Sequence, residues 1–177
     1  MRTRLIAKMS DLREVQRPLK QRYRAEPGAA RITLTARGAQ SGAAVACSVD
    51  LGRAMRSVEA QAHAGVGGPG TAACSGDLLL GALAACAQVT CQMVAAAMGI
   101  EATRIEVVVE GDLDLRGTLG IDDARVGFDA IRARLEVDAP GASAEQLAAL
   151  REKTERYCVV LQTLRDPPRI ELAPARS

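Results

Sequence analysis

The sequence has almost no aromatic residues: among 177, none is Trp, two are Tyr (Tyr23 and Tyr157) and one is Phe (Phe128). That removes the stacking platforms of a single-strand nucleic-acid binder and the Trp/Tyr belts of a membrane protein. A charge of one sign is missing as well, because 23 Lys and Arg against 21 Asp and Glu leave a net charge of +2. Nucleic acid is therefore not expected as a partner. Histidine occurs once, at His63, and the five cysteines (Cys47, Cys74, Cys86, Cys91 and Cys158) offer one close pair at most, Cys86 and Cys91, with no second pair to complete a zinc site. No metal is expected. The odd number of cysteines, with no signal-peptide pattern in the opening residues, points to a reducing cytoplasm. The basic start from Met1 to Lys8 has the charge of a transit peptide, but Asp11 and Glu14 follow too soon for one.

What is present is ordinary globular material, 48% hydrophobic and 25% charged, of a length that suits one compact domain. Leu12, Val15, Leu19 and Tyr23 recur at helical spacing and predict an amphipathic helix from Met9 to Arg24, kinked at Pro18, lying on the main body. Residues 1–27 are thus an N-terminal helical extension and 28–177 the domain proper. From Arg31 the period becomes two. Ile32 and Leu34, then Val45, Cys47 and Val49 after a turn at Gly38 to Gly42, predict a hairpin, and Ser57 to Ala62 a third strand.

The most apolar run, Leu78 to Met98, is long enough to cross a bilayer, yet it carries Gln88, Thr90 and Gln92, is built largely of Ala, and lacks Lys or Arg flanks. No membrane is expected. A helix apolar nearly all round is instead buried all round, and in so small a chain this favours a homodimer. Two alternating segments follow, from Ile105 to Leu115 and from Ile131 to Val137, with the acidic outer face of the first opposite the Arg-bearing face of the second. Ser143 and Gln146 form a capping box opening a helix through Leu147, Leu150, Tyr157, Cys158, Leu161 and Leu164, stopped by Pro167-Pro168, and Ile170 and Leu172 read as a short final strand. Strands separated by single helices without regular βαβ alternation make the class α+β.

Gly65 to Gly70 has the form G-x-G-x-x-G, but the helix begins too late to offer its N-terminus to a pyrophosphate and no βαβ unit surrounds it. No cofactor is implied. A cysteine hydrolase would have to pair a thiol such as Cys86 with His63. Cys86 and Cys91 lie about 140° apart on a helix and cannot share one pocket of a single chain.

Three segments carry a resemblance: Gly67-Gly68-Pro69-Gly70-Thr71, then Asp77-Leu78-Leu79-Leu80-Gly81-Ala82-Leu83-Ala84-Ala85-Cys86, then Tyr157-Cys158-Val159-Val160-Leu161-Gln162-Thr163-Leu164. Together, over roughly residues 31–172, they resemble the OsmC/Ohr family of thiol peroxidases. The resemblance implies an intertwined α+β homodimer, with antiparallel sheets around two helices, that reduces organic hydroperoxides and is recycled by a lipoyl-type or small dithiol. It implies Cys86 as peroxidatic thiol and Cys158 as resolving thiol. Asp77 stands where OsmC-type members carry Glu, and the family's Arg beside the reactive thiol falls on Arg53 first and Arg37 second. Val159 replaces a common Pro. Nine residues of straight helix would hold Asp77 about 13 Å from Cys86, so an Arg must bridge them or the helix must begin after Asp77. The alternative within the same family is a non-catalytic member that binds a small ligand or senses redox state.

Overall fold

The computed structural model describes residues 3–41, 45–51 and 57–174. A long helix α1 (Thr3–Ala25) leads into strands β1 (Arg37–Gln40), β2 (Ala46–Asp50) and β3 (Val58–Gln61), then the central helix α2 (Ser75–Met98). Strand β4 (Arg104–Leu113), a short helix α3 (Leu115–Leu119), strand β5 (Phe128–Asp138) and helices α4 (Ala144–Tyr157) and α5 (Val159–Arg165) complete the described chain. Two antiparallel sheets result, β1-β2-β3 and β4-β5, which makes the class α+β.

Helix α2 organises the interior because it is apolar on most of its circumference. Its C-terminal half packs Cys91, Val94 and Ala95 against Ile100, Ala139 and Leu150; its N-terminal half packs Leu83 and Ala87 against Cys158, Val107, Val109 and Ile131. Both ends are closed. At the start, the Asp77 carboxylate accepts the Cys74 backbone N–H at 2.8 Å, completing a reciprocal cap with the Cys74 sulfur. At the end, Gly99 takes left-handed angles (φ 71°), and the Arg13 guanidinium donates to the carbonyls of Ala96, at 2.6 and 3.0 Å, and Ala97, at 2.8 Å. Leu150 is fully buried in the first cluster. Leu150→Ala is expected to cost about 2–5 kcal/mol, read from the urea midpoint, by leaving a cavity among Cys91, Val94, Ala95, Ile100 and Ala139.

The β4–β5 pair follows the alternation. Ile105, Val107 and Val109 face the helices with Ile131, Leu135 and Val137, while the opposite face carries Arg134–Glu110 at 2.8 Å, Arg104–Glu136 at 3.6 Å and a pair between Arg132 and Asp112. Arg132 and Arg134 reach diagonally, since the register sets Arg132 opposite Glu110. The Ser143–Gln146 capping box forms as expected.

Four expectations need correction. The first strand runs from Arg37 to Gln40, not through Ile32 and Leu34, which are exposed and irregular, because β2 finds its antiparallel partners at 37–40. The helix expected through Cys158 is two helices, since ψ of 105° at Cys158 departs from helical geometry and ends α4 before α5 begins. Ile170 and Leu172 lie in no strand and are exposed, and neither sheet of the described chain includes them. Helix α1 begins at Thr3 rather than Met9 and includes Pro18; it rests on α2 through Leu12, Arg13 and Gln16, leaving Val15, Leu19 and Tyr23 open. Helix α3 was not expected, although its Asp114 cap, accepting the Arg116 N–H at 2.9 Å, and its closing Gly120 are both visible signals.

Candidate functional site

The break between α4 and α5 builds the site. Cys158 is at once the last residue of one helix's hydrogen bonding and the cap of the next. Its side chain is fully buried against α2, where Cys86 packs beside it together with Val160 and Leu161. Residues 72 positions apart in the chain are thereby neighbours, and both thiols are free.

Their surroundings push them in opposite directions. Burial alone would raise the Cys86 pKa, but the backbone N–H of Val160, the Cys158 thiol, the Thr90 hydroxyl and the backbone N–H of Val159 all hydrogen-bond its sulfur and hold it below the ordinary thiol value. For Cys158, burial raises the pKa, and its contact with Cys86 raises it further against the lowering effect of the Leu161 and Val160 N–H groups. The consistent reading is that Cys158 keeps its proton and donates it to a thiolate at Cys86. The N–H groups are available because α5 starts here: the first N–H groups of a helix have no partner within it.

Cys158 also lies at the floor of a groove of about 900 Å³ between α2, β5 and the α4–α5 pair. Leu79, Leu83, Phe128, Ile131, Leu161 and Leu164 form apolar walls. Arg125 and Arg151 stand on its margin with Asp129 and Glu155.

The other expected residues lie elsewhere. Helix α2 begins before Asp77, so nine helical residues put its carboxylate about 13 Å along the axis and half a turn around from Cys86. Asp77 serves the α2 cap, and that hydrogen bond is the main cause of its lowered pKa. The carboxylate expected beside the reactive thiol is therefore not supplied by Asp77 of the same chain. Arg37 is exposed on β1. Arg53 lies outside the described residues, and among those described no guanidinium holds the Cys86 sulfur. His63 caps the turn at Ala64–Val66 through Nδ1, which accepts the Gly65 N–H at 3.0 Å, and it is the least of the causes that lower the Asp77 pKa. Cys91 is buried with a raised pKa, burial outweighing its contact with Thr154, which fits a core residue. No cluster of three metal-ligating side chains occurs among the described residues.

Sequence reasoning missed three of the groups on Cys86. Thr90 was findable, one helical turn after Cys86 on the same face. The Val159 and Val160 N–H groups were not, because they depend on the break at Cys158.

The OsmC-like protein family model matches residues 68–173, a span that contains both thiols, the groove and the helices that carry them. No curated protein matches the sequence. Among solved structures, an OsmC-like protein from Mycoplasma pneumoniae is similar with a TM-score of 0.63 and 16% identity, covering 77% of this chain and 89% of that one. An organic hydroperoxide resistance protein from Legionella pneumophila gives 0.58 and 19%, covering 77% and 92%. An OsmC-like protein of unknown function from Vibrio cholerae gives 0.58 and 11%, covering 75% and 94%. At these identities the structures establish the fold alone, while the family match extends over more than half of the sequence: the chain belongs to the OsmC-like family.

Proposed function

We propose that the protein is a thiol-dependent reductase of organic hydroperoxides. The observation that carries this reading is the pair of touching thiols with opposed tendencies, Cys86 toward thiolate and Cys158 toward thiol. The Cys86 thiolate attacks the hydroperoxide oxygen remote from carbon. The O–O bond breaks, the departing alkoxide takes a proton and leaves as the alcohol, and Cys86 becomes a sulfenic acid, having given two electrons to the peroxide. The Cys158 sulfur then attacks the Cys86 sulfur. The S–O bond breaks, water leaves, and a Cys86–Cys158 disulfide forms, which an external dithiol reduces by exchange. Family membership and the hydroperoxide resistance name of one structural neighbour support the same chemistry. Arg53 is the guanidinium we assign to the peroxide oxygens. The decisive assay is dithiol-dependent consumption of an alkyl hydroperoxide; no consumption by the reduced protein would overturn the reading in favour of a ligand-binding or redox-sensing member.

The Val159 N–H gives a sharper test. Val159 is the first residue of α5, where Pro is well tolerated, and the extended angles of Cys158 suit a residue before Pro. Val159→Pro is therefore expected to keep the fold and remove one donor from the Cys86 sulfur. With that donor gone the thiol pKa rises, the thiolate appears at higher pH, and the pH profile of Cys86 alkylation moves upward. Val159→Ala, which keeps the N–H, should leave the profile in place.

We also assign a homodimer. Leu79, Val89 and Met93 remain exposed on α2, and only 33% of its most apolar window is buried within one chain. Light scattering is expected to show twice the 18.6 kDa chain mass; a stable monomer would refute the assignment.

A further inference from the structure

Helix α1 lies outside the residues that match the family model, and nothing in the thiol chemistry uses it. Residues 1–26 hold eight of the chain's Lys and Arg but only three of its acids, so the remainder of this nearly neutral protein is net acidic. The hydrogen bonds from Arg13 to Ala96 and Ala97 fix which side of the helix meets α2. That rotation turns Val15, Leu19 and Tyr23 outward, at 57%, 40% and 40% exposure. At about 100° per residue these three fall in an arc of roughly 80°. Arg22 borders the arc beside Val15 and Lys20 lies beyond Tyr23 on its other side, whereas Arg13, Arg17 and Arg24 turn toward α2 along a cavity of about 400 Å³ against Ala96, Ala97 and Met93. Glu14 is the single acid in residues 12–25 and lies off the arc. Arg22 is close to Glu26 at 4.0 Å, but both are exposed and the pair is weak.

We propose that α1 docks the protein on an anionic lipid surface, with Val15, Leu19 and Tyr23 at the acyl boundary and the neighbouring cations on the headgroups. An apolar arc edged by Lys and Arg is what such a surface selects, and each cation near it adds attraction. A nucleic acid would use the cations but leave the apolar arc in water. A second copy paired helix to helix would bring two strongly basic segments together. The demand differs from spanning: the helix lies in the interface and the binding is reversible. The inference does not rest on the peroxide reading, and its test involves no turnover.

The test is co-sedimentation of the full chain with phosphatidylcholine vesicles, with and without about 30 mol% phosphatidylglycerol. Binding is expected only to the anionic vesicles and to fall as salt rises. Lys20→Ser with Arg22→Ser should weaken it about thirtyfold and Leu19→Asp about tenfold, whereas Lys20→Arg with Arg22→Lys should retain it. Circular dichroism of each variant should match the parent. Binding equal on both vesicle types, no binding, or binding indifferent to both the charge and the Leu19 changes would each overturn the proposal. So would a change of oligomeric state on Leu19→Asp without vesicle binding by the parent chain, which would give the face to a second copy.

Discussion

Cys86→Ser is expected to reduce peroxide consumption by at least about a thousandfold, equivalent to about 4 kcal/mol of transition-state stabilisation. The donors around Cys86 act on a group that can become an anion near neutral pH. A serine hydroxyl in the same place would accept the same hydrogen bonds without ionising. The change removes little volume from a half-buried position, so the urea midpoint should stay close to that of the parent. Cys158→Ser should behave differently. Because Cys158 is the second thiol in the sequence of steps, the variant should turn over once and then gather the sulfenic and sulfinic acids of Cys86, visible by mass spectrometry as one and two added oxygen atoms. If Cys86→Ser consumed peroxide at the parent rate, the nucleophile would have to be another thiol. Cys91 is poorly placed for that, being buried with a raised pKa, and retained activity would therefore also argue against the groove as the substrate's route.

The contrast between these two cysteines shows what was legible before the fold was known. Both were identifiable from their motifs, and the strands that flank them were legible from clean alternation, as was α2 from its long, mostly apolar run. The joint at Cys158 was not, because the apolar positions on either side of it keep helical spacing and the departure lies in one backbone angle. That joint creates the unpaired N–H groups of α5, so the main cause of Cys86 acidity was hidden with it. The rotation of α1 was hidden for a related reason: Arg13 reads as a solvated cation until the end of α2 is brought to it. Ile32 with Leu34, and Ile170 with Leu172, show the opposite error. Their alternation records a capacity to pair, but a strand exists only where another edge meets it, and among the described residues none pairs with theirs. Asp77 was expected near the thiol through the resemblance, and the helix start it helps to form is what carries it away.

Alkyl hydroperoxides are expected to be used far more efficiently than hydrogen peroxide. The expectation from the motifs was a pocket walled by the central helix and the helix bearing Cys158, and the groove has those walls in Leu79, Leu83, Leu161 and Leu164, with β5 adding Phe128 and Ile131. Hydrogen peroxide gains little from such walls. Each CH₂ taken from water contributes roughly 0.8 kcal/mol, so four of them supply about 3 kcal/mol, on the order of a hundredfold in kcat/KM where the contact is kept in the transition state. The groove also constrains how the gain should appear. Contacts made equally in the ground and transition states lower KM, whereas contacts that bring the peroxide to the thiol raise kcat. Since Cys158 forms the floor and Cys86 packs against it, an alkyl chain lying along Leu83 and Ile131 would direct its peroxide end toward the thiol pair, and part of the gain should therefore lie in kcat. Leu83→Ala and Ile131→Ala should narrow the preference by weakening the alkyl substrate while leaving hydrogen peroxide nearly unchanged. Equal kcat/KM for the two peroxides in the parent protein would remove the groove from the mechanism, and the role of the thiols would then rest on the cysteine variants alone.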